Sequence, residues 1–188
     1  MGFDLKKQLV FYGAYHRDPT NVKIHMACVP ILLATGFLFG TNTPSLPTPQ
    51  RLQRLNLPLN LGTLAATLYS TLYITLSPNL AGASLTPIIM ASAAFVNRLR
   101  SKYNMTKVNS IAVAVHVVSW IAQFIGHGKY EGRKPALLDN LVQALFLAPL
   151  FVWYEALFKL GFYKGLQREV EMGVEEEVRR IKGEKGRK

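Results

Sequence analysis

One cysteine, eleven carboxylates and four long stretches without any charge set the first limits on this chain of 188 residues. With Cys28 alone, no disulfide framework can form. Its place inside an apolar block marks it as a small buried apolar residue rather than a nucleophile. Charged residues make up 18% of the chain against 49% hydrophobic, short of the roughly one quarter typical of a soluble domain. The shortage is concentrated. No Lys, Arg, Asp or Glu occurs in the 27 residues between Lys23 and Arg51, the 43 between Arg54 and Arg98, the 21 between Lys107 and Lys129, or the 15 between Asp139 and Glu155. Segments such as Ile31-Leu32-Leu33-Ala34 and Val113-Ala114-Val115 lack the polar face that a helix in water needs. The N-terminal stretch carries Asp4, Lys6 and Lys7 and has no uninterrupted apolar core of a cleaved signal peptide. Lys6 also stands where myristoylation requires Ser or Thr. Insertion is therefore expected to depend on the spans themselves.

A bilayer core about 30 Å thick takes roughly 20 apolar residues per helix. The first and third gaps fit one helix each. The second fits two helices joined at Ser77-Pro78-Asn79, and the fourth extends through Leu157 and Phe158, with Trp153 and Tyr154 as aromatics suited to the membrane boundary. Residues 3–15 read as a short amphipathic helix at that boundary. Asp18-Pro19 supplies a cap and a first-turn proline for a helix over 19–40. A connection over 41–59 holds Pro44, Pro47, Pro49 and Pro58, and further helices are predicted over 60–77, 80–97, 108–126 and 140–159, with a basic loop at 98–107. The segment from Lys164 reads as an exposed charged helix fraying near Gly183. The expectation is an all-α, polytopic transmembrane bundle of four to five apolar helices, with a membrane-embedded domain over 1–163 and a charged, partly disordered tail over 164–188. Five full spans would set the basic loop and tail against the positive-inside rule; a re-entrant segment or a non-crossing hairpin would leave four. The net charge of +11 collects in short segments beside the spans, which fits lipid headgroups as partners rather than nucleic acid.

The four histidines, His16, His25, His116 and His127, all lie in or beside apolar segments. Ionisable groups there are costly and mark function by default, and imidazole suits Fe, Zn, Cu and Ni alike. His116 and His127 fall on one helix face but are separated by roughly 16 Å along the axis. His16 and His25 would face opposite ways on one helix, an objection that the break at Asp18-Pro19 removes. Glu131 follows His127 at i+4, within reach of a metal-bound imidazole. A structural, hydrogen-bonded role is the alternative for each histidine, and spacing alone does not name the metal. The repeated His-x-x-x-His and His-x-x-His-His boxes of membrane desaturases are absent. A non-catalytic membrane lipid carrier or scaffold with structural histidines remains the alternative in function.

Two stretches stand out: Tyr15-His16-Arg17-Asp18-Pro19-Thr20-Asn21-Val22-Lys23-Ile24-His25, and the run from Gln123-Phe124-Ile125-Gly126-His127-Gly128-Lys129-Tyr130-Glu131-Gly132-Arg133-Lys134-Pro135 to Gln143. Both resemble the fungal endoplasmic-reticulum 2-hydroxy fatty acid dioxygenase family. Leu147-Ala148-Pro149 and Lys159-Leu160-Gly161-Phe162 continue the likeness, which covers about residues 5–163. The resemblance implies an Fe(II)-dependent dioxygenase of the endoplasmic reticulum membrane that uses O2 to shorten long-chain 2-hydroxy fatty acids by one carbon, as in phytosphingosine breakdown. It implies iron held by His16, His25, His116 and His127, with no call for 2-oxoglutarate. In that setting Glu131 orients His127 or joins the ligands, and Arg133, with Lys134, pairs with the substrate carboxylate unless these cations only snorkel to the boundary. Asp18 and Asn21 serve as helix-start or supporting residues, and Gln123 is a candidate hydrogen-bond partner for Glu155.

Overall fold

The computed structural model describes residues 4–132 and 141–185, the side chains at 142–143 and 181–185 apart. Among the described residues all regular structure is helical. Helix α1 (Leu5–Tyr15) starts at Asp4, whose carboxylate accepts the Lys7 N–H at 3.2 Å. Helix α2 (Pro19–Gly40) starts at Asp18, whose side chain accepts from the N–H groups of Thr20 and Asn21 at 2.7 and 3.1 Å. These bonds satisfy donors that a first helical turn leaves open, and Pro19 has no such donor to satisfy. A short α3 (Gln50–Arg54) interrupts the proline-rich connection. Helices α4 (Leu61–Leu76) and α5 (Leu80–Lys102) are capped in the same way by Asn60 and Asn79. Helix α6 (Met105–Ile125) passes into a π-helical turn over Gly126–Glu131, and α7 (Leu141–Lys159) and α8 (Lys164–Lys185) complete the chain.

Each helix expected from a charge-free gap is present; α2 keeps the expected bounds, and α4, α5 and α6 differ at their ends. The basic loop expected at 98–107 is largely helical: Arg98, Arg100 and Lys102 extend α5, where cations favour the negative end of the helix dipole. Among the described residues three helices are long and apolar enough to cross a membrane: Pro19–Gly40, Leu80–Lys102 and Met105–Glu131. Ala144–Lys159 and Lys164–Arg180 meet that standard together but bend by 119°, and α4 is shorter at 16 residues. Helix α6 leaves Ile111, Val118, Ile121 and Phe124 exposed. Water would penalise that apolar surface by about 25 cal/mol per Å², and lipid would not.

The chain divides into two compact units, Ala27–Ala122 on one hand and Met1–Met26 with Gln123–Lys188 on the other, so the boundary falls within α2 and α6. In the central unit α4 packs on α5 around a buried amide network. Asn60 Nδ2 donates to Asn97 Oδ1 at 2.7 Å, and Asn97 Nδ2 donates to Thr63 Oγ1 and the Ala93 carbonyl. Polar bonds of this kind join helices that share an apolar solvent.

In the terminal unit α1 packs against α7 and α8. The charged sequence of α8 conceals a valine stripe, Val170, Val174 and Val178, buried at successive i+4 positions. Glycines let the two helices approach: a Cβ at Gly13 would meet Val174 at 2.8 Å, and one at Gly173 would meet Val10 at 2.6 Å. The Lys6–Glu169 ion pair at 2.8 Å is half exposed and adds little. Gly173→Leu is therefore expected to destabilise the protein by roughly 1–3 kcal/mol through overpacking, while Gly165→Leu, which has open space, leaves it unharmed. Thermal unfolding of both variants in detergent measures the difference.

Candidate metal centre

The end of α1, the start of α2 and the π-helical turn meet within the terminal unit. His16 follows α1 directly, and its backbone N–H caps the helix on the Gly13 carbonyl. Asp18 and Pro19 then redirect the chain into α2, whose second turn carries His25. The π-helical turn carries His127. Ring centroids lie 4.4 Å apart for His16 and His25, 4.8 Å for His16 and His127, and 4.9 Å for His25 and His127. All three side chains are buried. Each offers a nitrogen, and the three nitrogens lie within 4.8 Å of one another, a group that can hold a metal ion.

The tautomers follow from the hydrogen bonds. His16 Nδ1 faces the Tyr12 carbonyl at 2.8 Å and His25 Nδ1 faces the Asn21 carbonyl at 2.9 Å. A carbonyl only accepts, so both Nδ1 atoms carry the hydrogen and both Nε2 atoms present a lone pair. His16 Nε2 and His127 Nδ1 are buried without a partner among the described residues. Leaving such an atom unsatisfied costs about 1–3 kcal/mol, and a bound cation would satisfy it. Burial and the neighbouring His25 hold the His16 imidazole well below its usual pKa of 6.5, so it stays in the neutral form that a metal requires. Tyr12, an i−4 neighbour that the sequence reading passed over, stacks on His16 at 4.3 Å and is backed by Phe151.

Glu131 is not one of this group. Its carboxylate accepts the Arg17 N–H at 3.0 Å on both oxygens, and one oxygen also accepts the Asp18 N–H at 3.0 Å and Asn21 Nδ2 at 3.1 Å. The i+4 spacing from His127 suggested a partner for that imidazole, but in π-helical register residues four apart no longer stack as they do in an α-helix. Glu131 instead fastens the turn carrying His127 to the segment carrying His16. Asn21 is fully buried, and its Oδ1 lies so close to Gly126 that a side chain at 126 would collide with it.

His116 lies in the central unit and is not in this group. Trp120 Nε1–H donates to His116 Nε2 at 3.0 Å, which places the hydrogen on Nδ1, 2.7 Å from Thr35 Oγ1. Both ring nitrogens are thus engaged. Arg133 and Lys134 lie outside the described residues. Gln123 is buried with its amide nitrogen unpaired, and no hydrogen bond joins it to Glu155 among the described residues.

Titration of Co(II) into chelator-stripped protein checks this geometry. His16→Ala, His25→Ala and His127→Ala are each expected to abolish stoichiometric binding, while His116→Ala keeps it. Glu131→Gln, which replaces one acceptor oxygen with a donor, is expected to weaken binding about 10–100-fold, as loss of a supporting partner does. It should leave the bound-metal spectrum unchanged.

Comparisons with known proteins identify the family. A sequence profile described as 2-hydroxy-palmitic acid dioxygenase Mpo1-like matches residues 3–160. The 2-hydroxy-palmitic acid dioxygenase MPO1 of Saccharomyces cerevisiae is 35% identical over 179 residues, covering 95% of this chain and 94% of that protein. No solved structure matches. The profile spans every element that contributes to the histidine group, and the likeness to the yeast protein runs nearly end to end, so this chain belongs to the 2-hydroxy-palmitic acid dioxygenase Mpo1-like family.

Proposed function

We propose that this protein is an Fe(II)-dependent dioxygenase of the endoplasmic reticulum membrane that converts long-chain 2-hydroxy fatty acids to the fatty acid one carbon shorter. The observation that carries this reading is the buried group of His16, His25 and His127, whose nitrogens lie within 4.8 Å of one another. The family and the name of the yeast relative support the reaction class and the substrate. Three imidazoles suit ferrous iron and leave coordination positions open. When bound, the iron supplies the one-electron chemistry that lets O2 react with an organic substrate.

The chain's own residues supply the rest. The Tyr12 and Asn21 carbonyls hold His16 and His25 in the tautomer that presents Nε2. Glu131 positions the two segments that carry His16 and His127. Burial of the three rings excludes bulk water from the site, which strengthens every charge interaction made there. Arg133 and Lys134, close in sequence to His127, are the cations proposed to pair with the substrate carboxylate. The long acyl tail explains a membrane setting: each buried CH2 contributes about 0.8 kcal/mol, so the substrate resides in the bilayer, as do the exposed apolar faces of the helices.

The test is anaerobic purification in detergent, reconstitution with Fe(II), and exposure to O2 and 2-hydroxypalmitate. Wild type is expected to form pentadecanoate, and His127→Ala to form none while keeping the helical signature of wild type. Folded wild-type protein that takes up no metal and leaves 2-hydroxypalmitate intact would falsify the proposal.

A further inference from the structure

All eleven carboxylates of this chain lie outside residues 19–130. The central unit, Ala27–Ala122, therefore holds none, yet it carries Arg51, Arg54, Arg98, Arg100, Lys102 and Lys107. Hydrogen bonds bring these six cations to one end of the unit. Asn60, at the start of α4, bonds Asn97, so the last turns of α5, with Arg98, Arg100 and Lys102, lie beside the end of the proline-rich connection. Asn42, near the start of that connection, accepts from Arg100 and from Asn109 of α6, each at 3.1 Å. Lys107 is in the first turn of α6. The connection folds back on itself, the Leu46 N–H donating to the Leu59 carbonyl at 3.0 Å, and carries Arg51 and Arg54 on α3. Among the described residues none of the six makes an ion pair.

Helix chemistry accounts for only part of this gathering. Arg100 and Lys102 in the last turn of α5, and Arg51 and Arg54 in that of α3, favour the negative ends of their helices. Lys107 stands at the positive end of α6, where the dipole opposes it. Arg100 is half-buried and the other five cations are exposed. Leu46, Leu55, Leu61 and Tyr103 are exposed among them. Two helices long enough to cross a membrane, Pro19–Gly40 and Leu80–Lys102, end here, and Met105–Glu131 begins here. Nucleic acid would have no use for the leucines. A bilayer boundary takes both kinds of side chain, leucines toward the acyl chains and cations at the headgroups.

We propose that this end of the central unit binds the phosphate headgroups of anionic lipids. Clusters of about four to eight Lys and Arg beside a membrane helix attract such lipids. With no carboxylate in the unit to neutralise them, the six cations take their counter-charge from the bilayer. Asn42 anchors Arg100 through one of the five N–H groups of its guanidinium, so one cation is preset while the exposed five adapt to the headgroup. The site lies within the central unit and needs no metal in the histidine group, so it stands or falls apart from the oxygenase reading.

The experiment places full-length protein in phosphatidylcholine vesicles with a trace of spin-labelled phosphatidic acid or spin-labelled phosphatidylcholine. Electron paramagnetic resonance then reads the fraction of each labelled lipid held at the protein surface. Wild type is expected to select phosphatidic acid about fivefold or more at low salt. It should lose most of that preference at about 1 M salt, where charges are screened beyond roughly 3 Å. The quintuple variant Arg51→Gln/Arg54→Gln/Arg98→Gln/Lys102→Gln/Lys107→Gln changes only exposed side chains. It is expected to keep the helical signature of wild type and its contact with phosphatidylcholine, and to lose the preference. Lys164→Gln/Arg168→Gln, on exposed positions of α8, should leave the preference intact. A wild type without preference, or a quintuple variant that keeps it, would overturn the proposal. So would its loss in the α8 variant, which would put the lipid elsewhere. Inorganic phosphate in place of chloride at equal ionic strength should displace no labelled phosphatidic acid; displacement would assign the site to the free ion instead of a lipid.

Discussion

The Glu131 carboxylate accepts the backbone N–H groups of Arg17 and Asp18 and the Asn21 side-chain amide. Through those bonds a turn late in the sequence is fastened to the segment between the first two helices, more than a hundred residues earlier. Hydrogen bonds to an ionised acceptor are roughly twice as strong as neutral ones. This one carboxylate collects them from two consecutive N–H groups and a side chain. His16 lies next to Arg17, His25 lies one turn beyond Asn21, and His127 lies at the other end of the π-helical turn. The distances within the histidine group are therefore set largely by where Glu131 docks.

A second constraint comes from desolvation. Three imidazoles and Asn21 are buried with few partners, an arrangement that is unfavourable for the fold unless something fills it. Carbonyls of α1 and α2 each accept one ring N–H, which fixes the tautomers and leaves the opposite nitrogens facing one another. The central unit treats its own, half-buried histidine differently. Trp120 and Thr35 engage both nitrogens of His116, so that ring is complete without a cation. The same residue type thus sits in two environments, one satisfied by the protein and one left open.

The helices around the site follow the same economy of partners. Helix α8 carries many charges but reaches α1 through valines and a glycine, and α1 answers with Gly13 and Val10. The membrane-facing part of the molecule needs no such detail, because exposed leucine, isoleucine and valine are stable in lipid without precise partners.

Much of this was legible in the residue order. Absence of charge over 27, 43, 21 and 15 residues determined that the chain is helical and apolar enough for a membrane, because unpaired backbone groups are not tolerated in hydrocarbon. Asp18-Pro19 determined where α2 starts, since capping is local chemistry. The four histidines also stood out by their surroundings. What the sequence could not decide is which of them meet. A shared helix face made His116 and His127 look like one pair despite their axial separation, yet the tertiary structure groups His127 with His16 and His25 and gives His116 to Thr35 and Trp120. Only the π-helical register directs Glu131 onto the Arg17 segment rather than back to His127, and that register depends on packing, including the close approach of Gly126 to Asn21. The valine stripe of α8 was equally hard to read, because three valines at every fourth position carry little weight among so many charges until α1 is placed against them. Local composition determines what each segment can be; contacts between residues far apart in the chain decide which side chains share a site.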